Sequence, residues 1–170
     1  REKSCIACHS TGTYMVDRPV LTPLLGKPSD EVLADFIEFI PKPEAKTDLS
    51  AISSVWRSSG LASWDKHVTG KLSEHTAQSL QKTMTVLEPG GYFKTYKDVE
   101  IPYITTHFQL TVQAARAVVA APDWLANLKD ADPLERVARM KQFLREHEPV
   151  NDYELALKLQ LAALMPELVP

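Results

Sequence analysis

The two cysteines of this chain fall in one five-residue box, Cys5-Ile6-Ala7-Cys8-His9. That spacing suits one chemistry above others. Two thiolates three positions apart can add across the two vinyl groups of a haem, while the imidazole after the second cysteine reaches the iron as its proximal ligand. Cys5 and Cys8 are therefore the candidate attachment points of one covalent haem c, and His9 is the candidate iron ligand.

Other uses of paired cysteines fit less well. A thioredoxin-type dithiol opens a helix after a buried strand, and here only four residues, Arg1 to Ser4, precede Cys5. A structural zinc site takes about four nitrogen and sulfur ligands, usually as two close pairs. The remaining histidines, His67, His75, His107 and His147, are dispersed along the chain. A disulfide between Cys5 and Cys8 would close a loop too short to stabilise much.

Porphyrin and His9 would leave one iron position to fill. Met15 follows His9 by only six residues, so the chain would have to wrap the haem edge tightly to present it. His67 and His75, eight residues apart, share a stripe beside Trp64, Val68 and Leu72 on a continuous helix. His107 stands near the start of an apolar segment, where a buried imidazole needs a partner and a metal would provide one. The distal ranking is His67 first, His107 second and an open sixth position third. A second histidine favours a low-potential electron-transfer centre, a methionine raises the potential, and an empty position allows gas binding or peroxide chemistry.

The other candidates read as structural. Met84 and Met140 lie on apolar helix faces and fill core, and His147 reads as an exposed residue at a helix C-terminus. Tyr14, Tyr92, Tyr96 and Tyr103 could donate hydrogen bonds to a bound ligand or to haem propionates, but edge packing is their ordinary role. Trp56, Trp64 and Trp124 read as core anchors.

Cys5, Cys8 and His9 match the attachment motif of c-type cytochromes residue for residue, and the position of the box resembles class I members of that family. Pro19 and Leu24-Leu25-Gly26-Lys27 are similar to the proline-containing loop that such proteins pass beneath the haem. The helix ending at Ile40-Pro41 and the next opening at Asp48-Leu49-Ser50 resemble the end of a small class I domain. This resemblance covers about the first third of the chain. It departs at the family's distal methionine: Ile40 precedes Pro41, and no methionine lies between Met15 and Met84. The resemblance implies electron carriage and haem attachment on the outer side of the bacterial cytoplasmic membrane, hence a periplasmic location.

The totals allow one domain of ordinary core size, 170 residues with 44% hydrophobic content. A net charge of −3 without a basic run gives no reason to expect nucleic-acid binding. No apolar stretch approaches a membrane span, since Phe108 to Leu128 is broken by Gln113, Arg116, Pro122 and Asp123. The chain starts at Arg1 without a methionine, which is what removal of a signal peptide or anchor would leave.

Positioning these groups falls to helices. Ser29 caps a helix with Asp30 and Glu31 in its first turn and Val32, Leu33, Phe36, Ile37 and Ile40 on one face, stopped by Pro41. Asp48 caps a second, carrying Leu49, Ile52, Val55 and Trp56 and ending near Gly60. Ser63 opens a longer one through Trp64, Val68, Leu72, Leu80, Met84 and Leu87, with Gly70 as its weak point and Pro89-Gly90-Gly91 as its end. Residues 92–105, with three tyrosines and Pro102, read as an ordered loop or short hairpin. Thr106 precedes a central buried helix to Ala121. Asp132-Pro133-Leu134-Glu135 starts another with Leu134, Val137, Met140 and Leu144 inward, and Asn151 with Glu154 caps the last.

The expected fold is all-α, about six helices around a covalently bound haem. It forms a single haem-binding domain over 1–170, with a possible division near 60 into a haem-motif segment and a larger helical segment. The expected function is that of a periplasmic monohaem c-type cytochrome, an electron carrier rather than an enzyme. It would pass electrons to a redox partner or within a larger electron-transfer assembly. The alternative is a haem-based gas sensor or peroxide-active protein with an open or displaceable distal site.

Overall fold

In the computed structural model of the chain, residues 11–38, 48–95 and 106–168 are described. The Cys5-to-His9 box lies outside them, as do Tyr96 and Tyr103. The fold is all-α, with no strand among the described residues. The longer helices are α3 (Asp30–Glu38), α4 (Asp48–Trp64), α5 (Glu74–Thr85), α6 (His107–Ala120), α8 (Ala131–Glu146) and α9 (Asp152–Leu164). Short pieces join them: α1 (Thr13–Asp17), α2 (Thr22–Leu25) and α7 (Trp124–Asn127). Residues 92–95 are non-helical, and the remainder of the expected tyrosine-rich hairpin lies outside the described residues.

Two helices carry the architecture. α4 packs against α6, α1 and α5, and α6 packs in turn against α9 and α8. The expectation for α6 holds: Thr106 Oγ1 accepts from Gln109 N at 3.0 Å as its N-cap, and nine of its fourteen residues are buried. α3 starts as expected, with Ser29 Oγ accepting from Glu31 N at 3.2 Å, and buries Phe36.

α4 corrects the sequence reading. It does not end near Gly60 but runs 17 residues to Trp64, so Ser63 lies inside it rather than opening a new helix. Glycine costs a helix interior roughly 1 kcal/mol, and here close packing offsets that cost. A Cβ on Gly60 would stand 2.8 Å from Met15 Cβ and 2.8 Å from Phe36 Cε1, so only glycine lets α1 and α3 lie against α4. Met15, Phe36, Leu61 and Trp64 form a small core at that junction, beside the larger core built on α4, α5, α6 and α8.

The expected stripe from Trp64 to Leu87 is likewise interrupted. After α4 the backbone opens into a wide π-type turn, Asp65–Thr69, and reverses at Gly70, whose φ of +68° suits a residue without a side chain. Ser73 then caps α5 by accepting from Thr76 N at 3.2 Å. His67 and His75 therefore sit on different elements.

Between α4 and α5 runs a buried hydroxyl seam. Ser58 Oγ lies 2.9 Å from Ser79 Oγ and 2.7 Å from Thr83 Oγ1, and Thr83 Oγ1 donates to Ser54 O at 3.1 Å. Small hydroxylated side chains let these helices approach closely while satisfying each other.

α8 starts earlier than expected, with Asp130 at its N-cap. Pro133 is tolerated inside the first turn, where backbone N–H groups have no helical acceptor anyway. Asp132 pairs with Arg136 at 2.8 Å instead of capping. α9 begins as expected, with Asn151 Oδ1 accepting from Glu154 N at 2.9 Å.

Candidate functional site

α1 is the first described helix after the Cys5-to-His9 segment. Ser63 Oγ donates to Val16 O at 2.6 Å and fastens α1 to the end of α4. Ser59 Oγ donates to Val55 O at 2.8 Å and reaches Gln113 O at 3.3 Å, joining α4 to α6. These contacts frame a cleft of about 250 Å³ between α1, the wide turn, α6 and α9. Val16, Val20 and Leu164 give it apolar walls, and His67, Gln113 and Arg116 bring polar groups to it.

His67, the first-ranked distal candidate, is half-buried in that wall. Burial, and then the neighbouring Lys66 charge, push its pKa below the ordinary imidazole value near 6.5. At neutral pH the ring is therefore neutral and keeps a lone pair for a metal. Its turn is pinned by the buried Asp65, whose Oδ2 accepts from Ser73 N at 2.6 Å, and by Thr69 Oγ1, which donates to Asp65 O at 3.2 Å.

Gln113 and Arg116 were legible in the sequence only as interruptions of an apolar run. Arg116 Nη1 donates to Gln113 Oε1 at 3.3 Å, while Gln113 Nε2 is buried with no partner among the described residues. An unpaired donor of this kind costs roughly 1–3 kcal/mol. Neither Arg116 nor Lys66 makes an ion pair among the described residues. Their i,i+3 spacing is the signal that could have placed Gln113 and Arg116 together on one face of α6.

His107, the second-ranked candidate, stands elsewhere. Its ring stacks on Tyr92 with centroids 4.8 Å apart, and its Nδ1 accepts from Thr95 N at 3.1 Å. A backbone N–H can only donate, so in the neutral ring the proton sits on Nε2 and neither nitrogen has a free lone pair. His67 and His107 are not brought to one site.

His147 departs from its expected exposed role. It is the C-cap of α8, stacks on Phe108 with centroids 4.3 Å apart, and places Nε2 2.8 Å from Glu154 Oε2. The chain folds back into α9 over this end of α8, which is why the imidazole is covered. Glu154 is only 1% exposed and also accepts from Val150 N at 3.1 Å. Burial pushes its carboxyl up, but the hydrogen bonds from His147, Val150 and Thr106 outweigh that and hold it below the ordinary carboxylate value.

All four methionines are buried: Met15, Met84 and Met140 at 0% exposure and Met165 at 3%. Trp64 and Trp124 are buried core anchors as expected, and the half-buried Trp56 packs against both cores, its Nε1 without a partner among the described residues. Tyr14 is exposed.

Among the described residues no group of three or more His, Cys, Asp or Glu side chains could hold a metal ion. The cleft thus presents a neutral imidazole, apolar walls and two cations that make no ion pair among the described residues. The volume lies below the ~300–1,000 Å³ of sites that engulf a whole ligand. None of the described helices is long and apolar enough to cross a membrane. No protein-family model matches the chain, and no curated protein or solved structure shows significant similarity to it.

Proposed function

We propose that this chain is a periplasmic monohaem c-type cytochrome that carries electrons to or from a protein partner or within a larger electron-transfer assembly. The observation that carries the proposal is the Cys5-x-x-Cys8-His9 box, which holds every thiol of the chain. Bound haem would supply one-electron iron chemistry. Cys5 and Cys8 would hold it, and His9 would ligate the iron from one side.

His67 is the preferred residue for the opposite side. It is neutral at pH 7, and it borders the same cleft as Val16 of α1, the helix that follows the box. Val16, Val20 and Leu164 would exclude water from the haem edge, which lowers the local dielectric around the iron. A partner would cover apolar side chains that are now exposed, among them Leu24 at 80% and Leu25 at 61% on α2 and Leu159 at 66% on α9.

One observation favours a second reading, in which the distal position is displaceable and binds a gas. His67 stands on a π-type turn rather than a regular helix, and such turns are frequent at functional sites. Absorption spectra of the chain, produced with haem-attachment machinery, test both. A Soret band that survives acid–acetone extraction and is lost in Cys5→Ser/Cys8→Ser is expected. Its absence would end the haem proposal. Rapid carbon monoxide binding to the reduced protein at neutral pH would replace the electron-carrier reading with the gas-binding one.

A further inference from the structure

The cleft beside His67 has chemistry that neither iron ligation nor helix packing uses. Arg116 and Lys66 both line it, and neither has an acidic partner among the described residues. Gln113 is 7% exposed on the same wall. Arg116 occupies its Oε1, which leaves Nε2 as a buried donor with nothing to donate to. Buried donors without acceptors are rare enough in folded proteins to call for an explanation, and an acceptor arriving with a ligand is one. No carboxylate of the described chain lines the cleft. The opposite walls, Val16, Val20 and Leu164, are apolar.

We propose that this cleft binds a carboxylate borne on an apolar body, with Arg116 and Lys66 supplying charge, Gln113 Nε2 a donor, and Val16, Val20 and Leu164 the apolar contact. Guanidinium is the group best shaped for a carboxylate. The acid has two sources, a propionate on the edge of a covalent haem or a free carboxylic acid. The site does not depend on the haem proposal, since the groups that form it are described without it.

Hexanoate is the probe, with hexanol as its uncharged counterpart, each titrated into 15N-labelled Cys5→Ser/Cys8→Ser chain, which cannot attach haem. Saturable shifts of the Gln113 side-chain amide and the Arg116 Nε–H by hexanoate, but not hexanol, are expected. Arg116→Met should weaken hexanoate roughly tenfold with an unchanged far-UV circular dichroism spectrum; if that variant fails to fold, the exposed Lys66→Met takes its place. Equal responses to the two probes, or no saturable response to hexanoate, would overturn the site. Loss of hexanoate binding in the haem-loaded chain identifies a propionate as the natural acid, and retained binding identifies a free one. Should the cysteine-free chain not fold, the haem-loaded chain decides. Hexanoate binding there, or a shift by Arg116→Met in the pH dependence of its midpoint potential, supports the site, and the absence of both overturns it. The hexanoate titration of the cysteine-free chain reads the same whether or not the native chain shows a Soret band, so failure of the haem proposal and failure of this site are separable.

Discussion

Replacing Gly60 by alanine tests the junction on which α1 depends. In an ordinary helix interior the change would stabilise by roughly 0.5–1 kcal/mol. Here the added Cβ would sit 2.8 Å from Met15 Cβ and 2.8 Å from Phe36 Cε1, well inside ordinary carbon contact. A phenyl ring can tilt away, but Met15 Cβ is fixed to its backbone, so α1 itself has to move. Overpacking of this kind costs about 1–3 kcal/mol. With the upper end apt for a backbone shift, the net expectation is about 2 kcal/mol of destabilisation. For a chain of this size that lowers the Tm by about 4–8 °C. Thermal and urea unfolding followed by circular dichroism measure it directly. Phe36→Leu introduced with Gly60→Ala should recover part of the loss, because it removes one of the two obstructions and leaves the other. A Gly60→Ala protein that melts at or above the wild-type temperature would show that α1 does not lie against α4 at this point, and the cleft wall formed by Val16 would fall with it.

If His67 ligates haem, His67→Ala should convert a low-spin spectrum to one that binds carbon monoxide or imidazole, whereas His107→Ala should leave the spectrum intact. His107→Ala should instead cost about 1–3 kcal/mol of stability, because Thr95 N loses its acceptor. Glu154 has a folded-state pKa below its ordinary value near 4.5, so the unfolded chain binds the proton more readily. Its contribution to stability is complete above that value and is lost as the pH falls through the lower, folded one. Urea midpoints from pH 7 down to pH 3 should therefore show wild type and Glu154→Gln converging at the acid end, and a constant gap would contradict the assignment. Ser58→Ala strands Ser79 Oγ in the α4–α5 seam and should destabilise by about 1–3 kcal/mol in urea unfolding, more than Ser79→Ala, which leaves Ser58 bonded to Thr83.

Capping chemistry was the most legible part of this fold, because a cap is a local interaction between residues two or three apart. Ser29, Thr106 and Asn151 each do what their side chains imply. Gly60 and Gly70 show the limit of local reading. Both looked like helix breakers, yet Gly70 ends an element and Gly60 sits inside one, and the difference is the pair of distant side chains, Met15 and Phe36, pressed onto Gly60. His147 lies at a helix C-terminus as its position implies, but its cover comes from Phe108 and Glu154 on other helices, which no local pattern shows. In the cleft, His67 was visible as a candidate because histidine is chemically conspicuous. Arg116 and Gln113 were seen only as breaks in hydrophobicity, since nothing local says that α1 and α9 will leave an opening beside them.

If the chain carries haem, the burial of the methionines bears on the sixth iron position more strongly than the ranking of histidines does. The thioethers of these residues, Met15, Met84, Met140 and Met165, are each packed in a core. Drawing one out to a haem would leave a cavity costing on the order of 2–5 kcal/mol, as truncation of a buried methionine does. His67 incurs no such cost, because its ring already borders an opening and, being neutral at pH 7, keeps a lone pair on one nitrogen. The absence of a methionine beside Pro41 and the packing of all four methionines thus argue in the same direction from independent grounds, one in sequence and one in packing. If the chain holds a haem, this packing favours a nitrogen ligand or an open position over a thioether. Either ligation would set such a haem apart from the higher-potential histidine–methionine centres that the sequence motif alone would suggest.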